Sequence, residues 1–148
     1  MADLYDTDIV SWAEQQADAL RRRATNEIDW NNVAEEIEDV ARRDRDRLYG
    51  ALVTAITHLL KWRFQPEMRS GAWRSAVVRA RDRIAKLLND SPSLKGYPAS
   101  VLADAYPPAR RAAEAEASLD GLPESSPWTI DQVLDHAFWP PAEERQKP

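Results

Sequence analysis

The fold is decided by residues 30–64, which read WNNVAEEIEDVARRDRDRLYGALVTAITHLLKWRF. Apolar side chains recur there every three or four positions, as they do on the buried side of an amphipathic helix. The stretch contains no proline and a single glycine, Gly50, so nothing in it forces a break. We therefore expect one continuous helix of about 52 Å, at about 1.5 Å per residue, with Asp29 as its N-cap. Its polar run, 42–47, either extends beyond the neighbouring helices, or its two aspartates pair with arginines of a partner helix.

Shorter helices are expected on both sides of this long one. They are predicted at residues 7–23, from Ser70 to about 88, from about Pro98 to 113, and from Thr129 to about His136. Asp6 or Thr7 could cap the first of them. Proline inside a helix removes a backbone hydrogen bond, so Pro107 and Pro108 predict a kink or a break into two short helices.

These elements predict an all-α fold, a helical bundle built on one long helix with a shorter, irregular C-terminal helical arm. A single domain is expected over residues 1–148, with a frayed tail at 142–148. Trp128 and Trp139 are expected to fasten the last segment to the bundle. The positions expected at the centre of the core are Leu52, Leu59, Val77 and Ile84.

Composition excludes several classes of site. The chain has 148 residues, 43% of them hydrophobic and 30% charged, which is typical of one globular domain. It contains no cysteine, which rules out disulfides, Cys-ligated metal sites and a Cys nucleophile and fits a reducing cytoplasm. No stretch approaches the roughly 18 apolar residues of a membrane span, and the acidic N-terminus does not resemble a secretion signal.

Charge is distributed unevenly along the chain, whose net charge is −5. Residues 1–41 carry three Arg against eleven Asp and Glu, whereas residues 61–86 carry eight Lys and Arg against two acidic residues. One interpretation is an anion-binding face, on which Trp62 or Trp73 stacks against bases. Its arginines would be Arg63, Arg69, Arg74, Arg79, Arg81 and Arg83. The interpretation we favour is that the basic helix lies against the acidic start of the long helix, because a sequence pI near 5.1 is unlike a nucleic-acid binder.

A second candidate cluster combines two parts of the long helix. Its members are Glu35, Glu36, Glu38, His58, Lys61 and Trp62. The three glutamates lie in the first turns of the helix, where the helix dipole stabilises negative charge. On a continuous helix, Glu35 and His58 would lie about 34 Å apart. Ala55 and Val133 stand three positions before the two histidines, where a di-iron bundle requires Glu. We therefore assign no metal, no cofactor and no catalytic residue.

Five short blocks carry a resemblance to a known family. They are Glu35–Glu38 (EEIE), His58–Trp62 (HLLKW), Ser91–Leu94 (SPSL), Pro127–Thr129 (PWT) and Phe138–Pro140 (FWP). Because these blocks occur in this order and at these separations, the chain resembles the bacterial domain of unknown function family twenty-nine almost from end to end. The resemblance implies a small, mostly helical bacterial protein, and it supplies no activity and no catalytic residues. It also implies a helix that continues after Tyr106, where this chain has two prolines.

The sequence therefore predicts a non-enzymatic protein-interaction or regulatory module, antitoxin-like in kind, whose partner is another protein or a second copy of the chain. One alternative is nucleic-acid binding through residues 61–86. Another is an enzyme that uses His58 with Glu35, Glu36 and Glu38, if the fold brings them into one cleft. No membrane partner is expected.

Overall fold

Residues 3–143, the part of the chain that the computed structural model describes, form helices joined by turns and loops, without a strand. The helices are α1 (Leu4–Thr7), α2 (Ile9–Arg22), α3 (Trp30–Phe64), α4 (Gly71–Asp90), α5 (Tyr97–Ala117) and α6 (Ile130–Leu134). Short 3₁₀ turns lie at Thr25–Glu27, Pro66–Met68 and Pro92–Leu94. The predicted all-α class with one long main helix is confirmed.

The chain divides into two compact units, residues 1–43 and residues 44–148. Helix α3 contributes residues to both of them. The prediction of one domain over residues 1–148 stays a prediction.

The first unit begins with two helices where the sequence predicted one. The backbone of Asp8 leaves helical geometry between α1 and α2, and its carboxylate accepts a hydrogen bond from the Ser11 N–H at 3.0 Å. Asp8 is thus the N-cap of α2, and the prediction of Asp6 or Thr7 was wrong. The Thr7 hydroxyl instead donates back to the Asp3 carbonyl at 3.2 Å.

The long helix runs without interruption from Trp30 to Phe64, as predicted. Its polar run is held by ion pairs between neighbouring turns of the same helix, with Asp39 at 2.5 Å from Arg42 and Asp44 at 3.4 Å from Arg47. The aspartate of the second pair therefore has its partner three residues along its own helix rather than on another helix. Such pairs support a helix in a stretch that carries no apolar layer.

The core of the second unit forms where α3, α4 and α5 bring their apolar sides together. The predicted core residues are fully or almost fully buried, Leu52, Leu59 and Val77 at 0% exposure and Ile84 at 1%. Burying each such side chain contributes about 1.5–3 kcal/mol. Helix α4 begins after Ser70, whose hydroxyl accepts from the Trp73 N–H, and ends before Pro92, as the sequence predicted.

Helix α5 is not broken at its two prolines. It continues from Tyr97 to Ala117 with Pro107 and Pro108 inside it. Of the two predicted outcomes, a kink or a break, the break into two short helices is therefore wrong. Pro108 has no N–H to offer the carbonyl of Asp104, four residues earlier. The Tyr49 hydroxyl donates to that carbonyl at 3.1 Å, so a side chain from α3 replaces the missing bond.

The C-terminal arm packs on the second unit as the tryptophans predicted. Trp128 is buried, and the Trp139 ring lies 4.9 Å from the Trp62 ring, centroid to centroid. Helix α6 begins after Thr129, as predicted, and opens with a capping box of Thr129 and Gln132. Of the predicted frayed tail, residues 144–148 lie outside the described residues, whereas the Glu143 N–H donates to the Arg63 carbonyl at 3.0 Å.

Candidate functional site

The acidic residues of the candidate cluster lie in the first unit and make local contacts. Glu36 accepts a hydrogen bond from the Tyr5 hydroxyl at 2.8 Å and lies 3.5 Å from Arg43. The hydrogen bond to Glu36 and the charges around it raise the pKa of Tyr5 to about 12. Glu35 lies 3.9 Å from Arg42, and Glu38 is exposed. Glu35 and Glu36 thus pair with arginines of their own helix, and Glu36 also binds a tyrosine, which is a structural use of their charge.

Asp29 joins α2 to the start of α3. Its carboxylate accepts from the indole N–H of Trp12 at 3.1 Å and from the side-chain amide of Asn32 at 2.8 Å. These hydrogen bonds, that of Asn32 above all, lower the pKa of Asp29 although partial burial opposes them. The Gln16 side chain accepts from the Asp29 N–H at 2.7 Å. The sequence identified Asp29 as a cap but missed its contacts with Trp12 and Gln16, because these two residues belong to α2.

An apolar groove lies between α2 and the first turns of α3, entirely within the first unit. It has a volume of about 340 Å³. Its lining consists of Trp12, Ala13, Gln16, Ala17, Leu20, Val33, Glu36, Ile37, Val40 and Arg43. Three of its large apolar side chains are open to solvent, Leu20 at 42%, Ile37 at 66% and Val40 at 61% exposure. The sequence predicted an apolar stripe on both helices, and what it missed is that this part of the stripe remains uncovered.

The second half of the candidate cluster lies in the second unit, around Lys61. The Lys61 side chain is 6% exposed and its ammonium forms an ion pair with Glu116 on α5. The same ammonium lies 5.6 Å from the centroid of the Trp73 ring. A buried ammonium requires such partners, since an unpaired charge in the interior is strongly destabilising. Glu116 was missed because it stands 55 residues away in the sequence.

His58 lies one turn before Lys61 and is half-buried. Its Nδ1 is buried and makes no hydrogen bond to any of residues 3–143. Burial lowers the pKa of His58, the positive charge of Lys61 lowers it further, and Glu116 partly opposes both. This environment favours the neutral form of the imidazole. The residues Glu35, Glu36 and Glu38 belong to the other unit, so His58 and Lys61 form a group of their own with Glu116.

The arginines of the candidate anion-binding face are mostly engaged with aromatic rings of the second unit. The guanidinium carbons lie 5.2 Å from the Phe64 centroid for Arg63, 4.5 Å from Trp62 for Arg69, and 5.1 Å from Trp139 for Arg74. Arg81 is 1% exposed, and its Nε donates to the Val133 carbonyl at 2.8 Å. Arg81 therefore lies in the interior rather than on a face that meets an anion.

Within residues 3–143, no group of three or more His, Asp or Glu side chains is arranged to hold a metal ion. None of the helices in that range is long and apolar enough to cross a membrane.

A family model described as "Domain of unknown function DUF29" matches residues 4–139, which is nearly the whole chain. No curated protein and no solved structure matches it.

Proposed function

We propose that this chain, which belongs to the DUF29 family, is a non-enzymatic protein-binding module that holds an amphipathic helix of a partner in the apolar groove of its first unit. The observation that carries the proposal is the exposure of Leu20, Ile37 and Val40 along one groove. Contiguous apolar surface of this kind typically marks an interaction site. A regulatory, antitoxin-like role would build on such binding and stays a prediction.

The spacing of the lining residues favours a helix as the occupant. On α2 the lining positions are 12, 13, 16, 17 and 20, and on α3 they are 33, 36, 37, 40 and 43. Both sets follow the three- and four-residue steps that form ridges on a helix surface. A third helix placed in the groove would present apolar residues at the same spacing, which is the usual helix-in-groove mode of recognition.

Charge favours a basic partner over a second copy of this chain. The first unit, residues 1–43, carries eleven Asp and Glu against five Arg, a net charge of −6. Two such units would repel each other, whereas a helix with Lys or Arg beside its apolar stripe would be attracted. The partner we propose is therefore an amphipathic helix with a basic flank.

The test uses two substitutions matched in type and exposure. Val40→Gln removes an apolar side chain that lines the groove and is 61% exposed. Val10→Gln removes one that is 65% exposed and does not line the groove. Proteins captured from an extract of the source organism by wild-type protein and by both variants are identified, and each candidate is purified and titrated against all three.

Support requires a purified partner that binds through a basic amphipathic helix, loses about tenfold or more in affinity with Val40→Gln, and is unaffected by Val10→Gln. The proposal is overturned if both variants bind as wild-type does. It is also overturned if sedimentation shows a wild-type dimer that Val40→Gln dissociates, because the occupant is then a second copy.

A further inference from the structure

A different cavity, in the second unit, lies between α3 and α4 and has a volume of about 320 Å³. It is lined by Arg47, Gly50, Ala51, Thr54, Ala76, Arg79, Ala80 and Arg83. Three of these residues carry a guanidinium group and none carries a carboxylate. The other lining side chains are small, so they leave room for a ligand within reach of the three guanidinium groups.

Two of these arginines have no partner in the described part of the chain. Arg79 and Arg83 make no ion pair, hydrogen bond or ring contact there, whereas Arg47 lies 3.4 Å from Asp44. Like charges around one cavity repel, and guanidinium groups bind oxyanions through paired hydrogen bonds. An anion in the cavity would relieve the repulsion and use these donors.

Gly50 is a second, independent indication. It stands inside α3, where glycine is less favourable than alanine because the flexible backbone must be ordered. A Cβ at this position would meet nothing within 4 Å, and the residue does not have a positive φ. Neither the packing nor the backbone of the described chain therefore requires glycine here. Its missing side chain does keep the cavity open.

The neighbouring cavity limits where an anion can lie. It has a volume of about 420 Å³ and shares Arg47 and Arg83 with the first, but Asp44 and Asp90 also line it. Asp90 lies 2.8 Å from Lys86, so that pair is already neutral. The neighbouring cavity therefore contains two carboxylates that disfavour an anion, whereas no carboxylate lines the cavity around Gly50.

We propose that this cavity binds the polyphosphate group of a small ligand, with Arg47, Arg79 and Arg83 as its donors. Three guanidinium groups match an anion of several charges, and the volume falls in the range of about 300–1,000 Å³ of small-molecule pockets. No aromatic side chain is among the lining residues, so the cavity offers no platform on which a base could stack. This favours a compact polyphosphate over a nucleic-acid strand. The proposal is independent of the docking of a partner helix in the first unit.

The test is a calorimetric titration of the full chain with inorganic tripolyphosphate at about 50 mM salt. Arg79→Gln and Arg83→Gln are each expected to weaken binding by about tenfold or more, because each removes a charged donor. The matched control is Arg111→Gln on α5, which removes an exposed arginine that also has no partner among the described residues. It should change affinity by less than about twofold.

A further variant, Gly50→Leu, tests the cavity itself. Leucine forms helices readily and should leave the midpoint of thermal unfolding unchanged or raised, while its side chain fills the space and abolishes binding. The proposal is overturned if tripolyphosphate does not bind, if Arg111→Gln weakens binding as much as Arg83→Gln, or if Gly50→Leu binds as wild-type does. The proposal is also overturned if a single-stranded oligonucleotide binds more tightly than tripolyphosphate and its binding is lost when Arg79 or Arg83 is replaced. The ligand would then be a nucleic acid.

Discussion

Arg81 shows how a single buried cation organises the C-terminal arm. Its Nε donates to the Val133 carbonyl at 2.8 Å and its Nη2 to the Gln132 carbonyl at 3.4 Å. Its guanidinium carbon lies 5.3 Å from the centroid of the Trp139 ring. Both carbonyls belong to the short helix α6, whose last carbonyls have no partner within the helix. Burial lowers the pKa of Arg81, with Asp135 opposing, yet an arginine stays charged. The residue thus supplies donors and charge at the end of a helix.

Replacing Arg81 should destabilise the protein. Arg81→Met would leave the buried Val133 carbonyl without its donor, whereas the Gln132 carbonyl would keep the Asp135 N–H at 3.3 Å. We expect the loss to cost about 2 kcal/mol or more in the free energy of unfolding. Urea denaturation followed by circular dichroism measures it. The control is Arg79→Met, an exposed residue on the same helix, which should change stability by less than about 0.5 kcal/mol. Equal midpoints for Arg81→Met and wild-type would contradict this role.

His58 should make the stability depend on pH. Burial and the charge of Lys61 lower the pKa of His58 in the folded protein, whereas the unfolded chain binds the proton near its usual pKa of about 6.5. Below that pH the unfolded state binds more protons, so stability is complete above about pH 6.5 and is lost as the pH falls towards the folded pKa. The variant His58→Gln should therefore have a flatter profile of melting temperature between about pH 5.5 and 7.5. Parallel profiles for variant and wild-type would show that His58 does not contribute.

At the level of the helices, the two prolines of α5 are accommodated by a partner from α3. Pro108 leaves the Asp104 carbonyl without its helical donor, and Tyr49 supplies a hydroxyl in its place. The Thr57 hydroxyl, which donates to the Val53 carbonyl at 2.7 Å, also lies 3.4 Å from the Ala109 carbonyl of α5. A polar contact between two helices therefore lets α5 continue through a sequence that would otherwise interrupt it.

This arrangement predicts coupling between Tyr49 and Pro108. Tyr49→Phe should destabilise the protein by about 1 kcal/mol, because the Asp104 carbonyl loses its donor. In a Pro108→Ala background the alanine N–H can serve the same carbonyl, so Tyr49→Phe should then cost much less. A double-mutant cycle of unfolding free energies measures the difference. Additive effects of the two substitutions would mean that the hydroxyl does not replace the proline's missing bond.

Local patterns predicted the helices well and their contacts poorly. The apolar period found α3 and α4, and the starts of α4 near Ser70 and of α6 at Thr129 were predicted correctly, because these signals lie beside the helices in the sequence. The break at Asp8 was missed since Asp6, Thr7 and Asp8 are all plausible caps. Whether α5 breaks at Pro108 depends on a contact with Tyr49, which stands 59 positions earlier in the sequence. A prediction from neighbouring residues cannot include such a contact.

In the candidate sites, too, the sequence did not predict contacts between residues that are far apart along the chain. Lys61 was identified as a residue of interest, but its burial depends on Glu116, which a different helix supplies. Arg81 was grouped with surface arginines because charge counting along the chain does not say which side of a helix a residue occupies. Arg79 and Arg83 belong to the same basic segment, and only the packing of α3 on α4 distinguishes them from their engaged neighbours.

Across the whole molecule, buried apolar side chains are concentrated in one unit. The first unit buries Trp12, Ala19 and Ile28, and among the described residues α3 has no buried member before Leu48. The second unit buries the leucines, isoleucines and alanines of three helices around Tyr106. Most helical stability in proteins comes from packing of an apolar side, so the two units should differ in how easily they open.

Hydrogen exchange read by mass spectrometry should reveal this difference. Peptides from α2 and from the start of α3, residues 30–43, are expected to exchange at least about tenfold faster than peptides from 48–64, because their helices open without exposing a core. Binding of a helix in the apolar groove would cover Ile37 and Val40, so a true partner should slow exchange in the first unit and leave the second unchanged. A Val40→Gln variant mixed with the same partner serves as the control and should keep the fast exchange. Uniform protection across both units in the free protein would contradict the expectation, because the first unit would then need a source of stability other than its few buried side chains.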